Sequence, residues 1–154
     1  MKTRTVVAIL ILIVAVFIVS GGYATGKKAI SEAEFLNVYS GTWINEDYDG
    51  SMWEPQVWVH YSDGTWDMYS NLGDDFKRCV GVDEIIDTWT DSNGNYWGTT
   101  KWECTRHLWK AYTMRKISDS GNTHELLWRM GDEPIEEWDV ENEEYKYFVH
   151  YRQE

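Results

Sequence analysis

Apolar and polar positions alternate along most of this chain in short runs, and turn residues divide the runs. That period of two is the mark of β-strands with one covered face. Nine runs read as strands: 42–45, 56–61, 65–69, 76–82, 84–90, 96–105, 108–117, 123–130 and 145–152. Between them stand Glu46–Gly50, Asp63-Gly64, Leu72–Asp75, Asp91–Asn95 and Asp119–Asn122, all rich in residues that tolerate tight backbone angles. Gly81 is expected to mark a bulge. A polar link from Gly131 to Glu144, containing Pro134, is the one connection longer than a hairpin turn. Successive hairpins without strand–helix alternation predict an antiparallel meander. A meander hides its two edges by closing, so the expected fold is all-β: an up-and-down barrel of about eight to nine strands. Eight strands leave an interior wide enough for one small ligand.

Before the strands the period changes. Ser31-Glu32-Ala33-Glu34 forms a capping box, and Phe35, Leu36, Val38 and Tyr39 supply apolar positions, so a short helix is expected over 31–39. Gly41 is expected to stop it in a left-handed conformation. Further upstream, Lys2 and Arg4 precede an unbroken apolar run, Val6 to Val19, and small residues follow through Gly26. This reads as a secretory signal peptide over 1–24, with an uncleaved anchor as the alternative. Residues 25–40 then form a lead-in with the helix, and 41–154 form the barrel.

Charge narrows the partners. The formal net charge is −12, and it becomes −14 once Lys2 and Arg4 are removed with the signal. Nucleic acid and anionic membrane surfaces both require a basic footprint, so neither is expected; a membrane would be met only through an uncleaved N-terminal segment. In an oxidising compartment Cys79 and Cys104 can pair, two buried free thiols being the alternative.

Ten Trp and ten Tyr make the chain unusually aromatic, with Trp on nearly every strand. Trp58 and His60 share one strand face, with Val57, Val59 and Tyr61 opposite. Leu126, Trp128 and Met130 share another, with Glu125, Leu127 and Arg129 opposite. The interior positions expected to meet a ligand are Trp58, Trp66, Tyr69, Trp89, Trp102, Tyr112 and Trp128. No catalytic constellation emerges. His60, His107, His124 and His150 have no metal-ligand spacing, and each is read as structural or surface. Asp91–Asn95 echoes the start of a calcium loop, but Tyr96 and Trp102 occupy positions where that loop needs Gly and Glu, so a hairpin turn is expected. No metal and no cofactor is expected, and no enzymatic activity.

Gly41-Thr42-Trp43, a G-x-W at the first strand after a short helix, resembles the lipocalin-like (calycin) proteins. The hairpin Asp63-Gly64-Thr65-Trp66 and the closing Tyr151-Arg152-Gln153 are similar to bacterial lipocalin-like domains. The chain departs from the main lipocalin group in having no helix after the last strand and no T-D-Y-like middle motif. The resemblance implies that Trp43 plugs the closed end of the barrel, with Arg152 stacked on it and Arg129 the second choice. With the export signal, it implies bacterial export to a secreted, periplasmic or cell-surface location. The expected function is non-covalent binding of a small hydrophobic or amphipathic molecule. The alternatives are a Trp-rich, carbohydrate-binding β-sandwich at the cell surface and a packed structural barrel without ligand.

Overall fold

The computed structural model describes residues 26–46, 57–70 and 77–154. The segment expected to direct export lies outside these residues, as do the turn at 72–75 and most of that at 46–50.

Among the described residues, nine strands and one helix follow in chain order: β1 (Lys28–Ala29), α1 (Glu32–Tyr39), β2 (Gly41–Ile44), β3 (Val57–His60), β4 (Thr65–Tyr69), β5 (Lys77–Thr90), β6 (Tyr96–Cys104), β7 (Trp109–Ile117), β8 (Thr123–Met130) and β9 (Lys146–Arg152). Each strand from β2 to β9 pairs antiparallel with the next, and β9 returns to pair with β2. The result is a closed eight-stranded meander, with β1 added against the far end of β5. Closure removes the two flat layers of the sandwich alternative.

Nine expected strands became eight in the barrel because 76–82 and 84–90 are one strand. Asp83 does not turn the chain. It faces inward opposite Trp102, where the ladder with β6 runs regularly from Gly81 to Ile85. The bulge expected at Gly81 lies further on, at Ile86, where the register against β6 shifts between Ile85 and Asp87. Gly81 serves space instead: a Cβ there would collide with the Trp66 indole and the Glu103 carbonyl.

The helix begins where the capping box sets it, with Ser31 Oγ accepting from the Glu34 N–H at 3.1 Å. It ends at Ser40, whose N–H and hydroxyl both donate to the Leu36 carbonyl. Gly41, at φ +140°, is therefore the first residue of β2 and not a left-handed helix stop. The helix closes one end of the barrel with Phe35, Leu36 and Tyr39, all buried. Burying three such side chains contributes about 2 kcal/mol each. Phe35 sits against Gly98, an inward position of β6 where any Cβ would overlap the ring.

Two apolar clusters result. The main one fills the barrel. The second lies outside the wall, where the link after β8 folds back and lays Ile135 on Met114 and Leu127, with Trp97, Tyr112, Trp138 and Tyr145 around them. This explains why β7 and β8 carry large apolar residues on both faces.

Candidate functional site

Side-chain parity along the ladders decides what enters the barrel. Trp43 stands opposite Trp58, Trp58 opposite Met68, and His60 opposite Trp66. Directly opposed residues share a face. The same rule carries Trp102, Thr100, Thr113, Arg115, Trp128, Leu126, His124 and His150 inside.

The end next to the helix is sealed by an indole. Trp43 is fully buried, and its Nε1 donates to the Tyr39 carbonyl at 2.9 Å. The Arg152 guanidinium lies over its ring, 4.4 Å from the centroid. Arg129 instead pairs with Glu133 and Glu144 outside the barrel.

A polar layer follows. Arg115 donates through Nη2 to Asp83 Oδ1 at 3.0 Å and through Nε to Thr113 Oγ1 at 2.9 Å. Thr113 and Thr100 share a hydroxyl hydrogen bond of 2.7 Å, and Thr100 donates on to Asp83 at 3.3 Å. The Tyr39 hydroxyl meets His60 Nε2 at 2.7 Å, while His60 Nδ1 lies 3.7 Å from Asp83 Oδ2. Both Asp83 and Arg115 have wholly buried side chains. Burial pushes the Asp83 carboxyl well up and Arg115 down to about 9, which still leaves the guanidinium charged at neutral pH. His60 and His124 are held well below the ordinary histidine range, first by burial and then by the neighbouring His150. His150 is lowered to about 3, again chiefly by burial. All three rings are neutral at pH 7.

Toward the other end the aromatic rings form a circuit. Trp66 stacks on Trp102 with centroids 4.7 Å apart; Trp102 meets Trp128 at 5.2 Å, Trp128 meets Phe148 at 5.9 Å, and Phe148 meets His150 at 6.3 Å. Trp58 closes it, 6.3 Å from His150 and 5.5 Å from Trp66. The Cys79–Cys104 disulfide joins β5 and β6 at this end, its Cα atoms 6.0 Å apart. The Nε1 atoms of Trp58, Trp66, Trp102 and Trp128 are all buried without a hydrogen-bond partner, as are both ring nitrogens of His124 and His150. A buried donor without an acceptor costs about 1–3 kcal/mol, so a cluster of them in one place calls for a reason.

Of the seven positions expected to line the interior, Trp58, Trp66, Trp102 and Trp128 do so. Tyr69, Trp89 and Tyr112 lie on the outer face. Tyr112 follows the inward Ala111 and so must point out. Tyr69 follows the inward Met68 and shares the outer face with its partner Val57. Trp89 would face inward if β5 were regular from Asp83, but the bulge at Ile86 inverts the parity and turns Thr88 inward in its place. The sequence reading missed the three interior histidines, Asp83 and Arg115. A signal existed for His60, which shares a strand face with Trp58, and for Arg115, which shares one with Ala111, Thr113 and Ile117. His107 is exposed and stacks on Trp109. Among the described residues no group of three or more His, Cys, Asp or Glu is arranged to hold a metal ion.

The class that these features define is a closed antiparallel barrel with a helical plug, a buried polar layer and a tryptophan circuit. No protein family, curated protein or solved structure matches the chain.

Proposed function

We propose that this chain is an exported barrel that binds a small, partly apolar molecule non-covalently against the tryptophan circuit. The observation that carries the reading is the set of four buried indole N–H donors without acceptors. Donors outnumber acceptors among these unpartnered atoms: to the indoles are added Nη1 of Arg115 and one N–H of each neutral His124 and His150 ring, against Asp83 Oδ2 and the other nitrogen of each ring. The fitting ligand is therefore flat and carries acceptor atoms, such as carbonyl or carboxylate oxygens. Indole faces would cover its apolar part and indole N–H groups would orient it. The rings touch one another, so the ligand enters by parting them at the disulfide end. Export is supported by the disulfide, which persists in oxidising compartments. Contact between the rings also favours a second reading, a packed barrel without ligand, in which indole N–H groups rest on neighbouring π faces.

Titration of the purified chain with an anionic aromatic probe such as anilinonaphthalene sulfonate, followed by tryptophan fluorescence, separates the two. Saturable quenching that weakens at least tenfold in Trp102→Phe and Trp128→Phe supports the binder. Unchanged emission across a panel of acceptor-bearing aromatic probes supports the packed barrel.

A further inference from the structure

We infer that a groove on the outer wall, separate from the interior, binds small organic ammonium ions. It forms where the link after β8 folds back toward the end of β5, and it has a volume of about 440 Å³. Its walls are Trp89, Trp97 and Trp138, with Lys27, Asp91 and Glu136 at the rim. Trp89 and Trp97 are cross-strand partners with nearly parallel rings, 5° apart in orientation and 5.9 Å between centroids. Trp138 comes from the link and meets Trp97 edge to face at 5.1 Å. Asp91 fixes the Trp97 indole by accepting from its Nε1 at 2.9 Å.

Two observations select the ligand class. First, the groove already takes an ammonium on an indole face: Lys27 Nζ lies 4.1 Å from the centre of the Trp89 ring. Indole faces attract cations because the ring quadrupole presents negative charge there. Second, among the described residues three carboxylates, Asp91, Glu136 and Glu137, line the groove against Lys27, while Lys116, 5.9 Å from the Trp97 ring centre, is paired with Glu125. That balance favours a positive guest and opposes an anionic one. A neutral sugar would need an open indole face to stack on, whereas Trp89 is only 6 % exposed beneath Lys27. Lys27 therefore stands where the ammonium of a ligand would sit, and it competes with that ligand. The site shares no side chain with the interior: at β5, Thr88 faces in and Trp89 faces out.

The test is titration of the full chain with choline and with its uncharged isostere 3,3-dimethylbutanol, followed by tryptophan fluorescence at low salt. Choline is expected to bind saturably, the isostere at least about tenfold more weakly, within the two- to thirtyfold range of a cation–π contact. Salt near 0.5 M weakens choline binding severalfold by screening the carboxylates. Lys27→Ala removes the competitor and tightens choline binding severalfold; the paired exchange Glu136→Gln and Glu137→Gln weakens it severalfold. These side chains are exposed, so the variants fold. Trp102→Phe, inside the barrel, leaves choline binding unchanged, which keeps this site distinguishable from the interior one. Equal binding of choline and its isostere, weaker binding in Lys27→Ala, or tighter binding of methyl glucoside than of choline would each overturn the proposal.

Discussion

Arg152 and Trp43 form a closure at the plugged end of the barrel. Besides lying over the indole, the guanidinium donates to the Ser40 carbonyl at 2.8 Å, to the Gly121 carbonyl at 2.7 Å and to the Val38 carbonyl. Val38 and Ser40 lie at the C-terminal end of α1, where carbonyls lack partners and the helix dipole is negative. The helix has no basic residue in its own last turn. The far end of the chain supplies that charge from the last barrel strand. Gly41 makes the approach feasible, since a Cβ there would stand 2.7 Å from Arg152 Nη1.

Arg152→Ala is expected to lower stability by about 2–3 kcal/mol, combining a cation–π contact with several charge-assisted hydrogen bonds. Gly41→Ala is expected to cost about 1–3 kcal/mol, because φ +140° strains any other residue and the new methyl displaces the guanidinium. The two losses will not add, since both act on one contact. Urea midpoints of the single and double variants measure this.

Acid is expected to unfold the barrel well before its surface carboxylates would require it. His60, His124 and His150 titrate below their ordinary value when folded. The unfolded chain therefore takes up protons first as pH falls through about 6.5. Stability from the neutral rings is fully present above that pH and is lost on acidification toward about 3, the folded value of His150. Each ring contributes a slope of up to about 1.4 kcal/mol per pH unit. Asp83 acts with the opposite sign: its raised value makes the folded state the better proton binder, so its contribution grows as pH falls toward the ordinary carboxylate range. Asp83 thus offsets part of the proton uptake of the three rings on unfolding, and the three rings set the net sign. Unfolding free energies at a series of pH values give the slope directly, and His150→Asn should reduce it by about one proton.

Breaking the buried pair from either side is expected to cost far more than removing it whole. Asp83→Leu leaves the Arg115 cation buried without its counter-charge, and Arg115→Met leaves the carboxylate in the same position. Losses of about 3–5 kcal/mol are expected for each. The double variant Asp83→Leu with Arg115→Met removes both charges and should recover most of the loss. Thermal unfolding of the three variants completes the double-mutant cycle.

The strand pattern was legible because turn chemistry punctuates it. Asp63-Gly64 and Asp119–Asn122 mark hairpins that the fold contains, and the capping box marks the helix start to within one residue. Trp89 was misplaced because a bulge has no reliable local sign, and one extra residue at Ile86 exchanges the faces of everything after it. The break expected between 76–82 and 84–90 falls on Asp83, an acidic residue of a kind rarely spent on an inward position. The ion partner that makes Asp83 tolerable there, Arg115, lies two strands away and is invisible to local reading. The histidines were missed for a similar reason. Their shared layer arises from the register of β3, β8 and β9, which no single segment encodes.

The joints around the barrel are unequal in length. Most neighbouring strands are matched over four to nine residue pairs, but β2 and β9 are matched over two, Trp43 with Arg152 and Ile44 with Tyr151. A hooped vessel leaks first at its shortest lap. Amide exchange is thus expected to be fastest along Thr42, Ile44 and Tyr151, and the wall to part there before anywhere else. Arg152 then acts as a clasp: it fastens the plug and the seam with one side chain, so loosening either end of the chain slackens both.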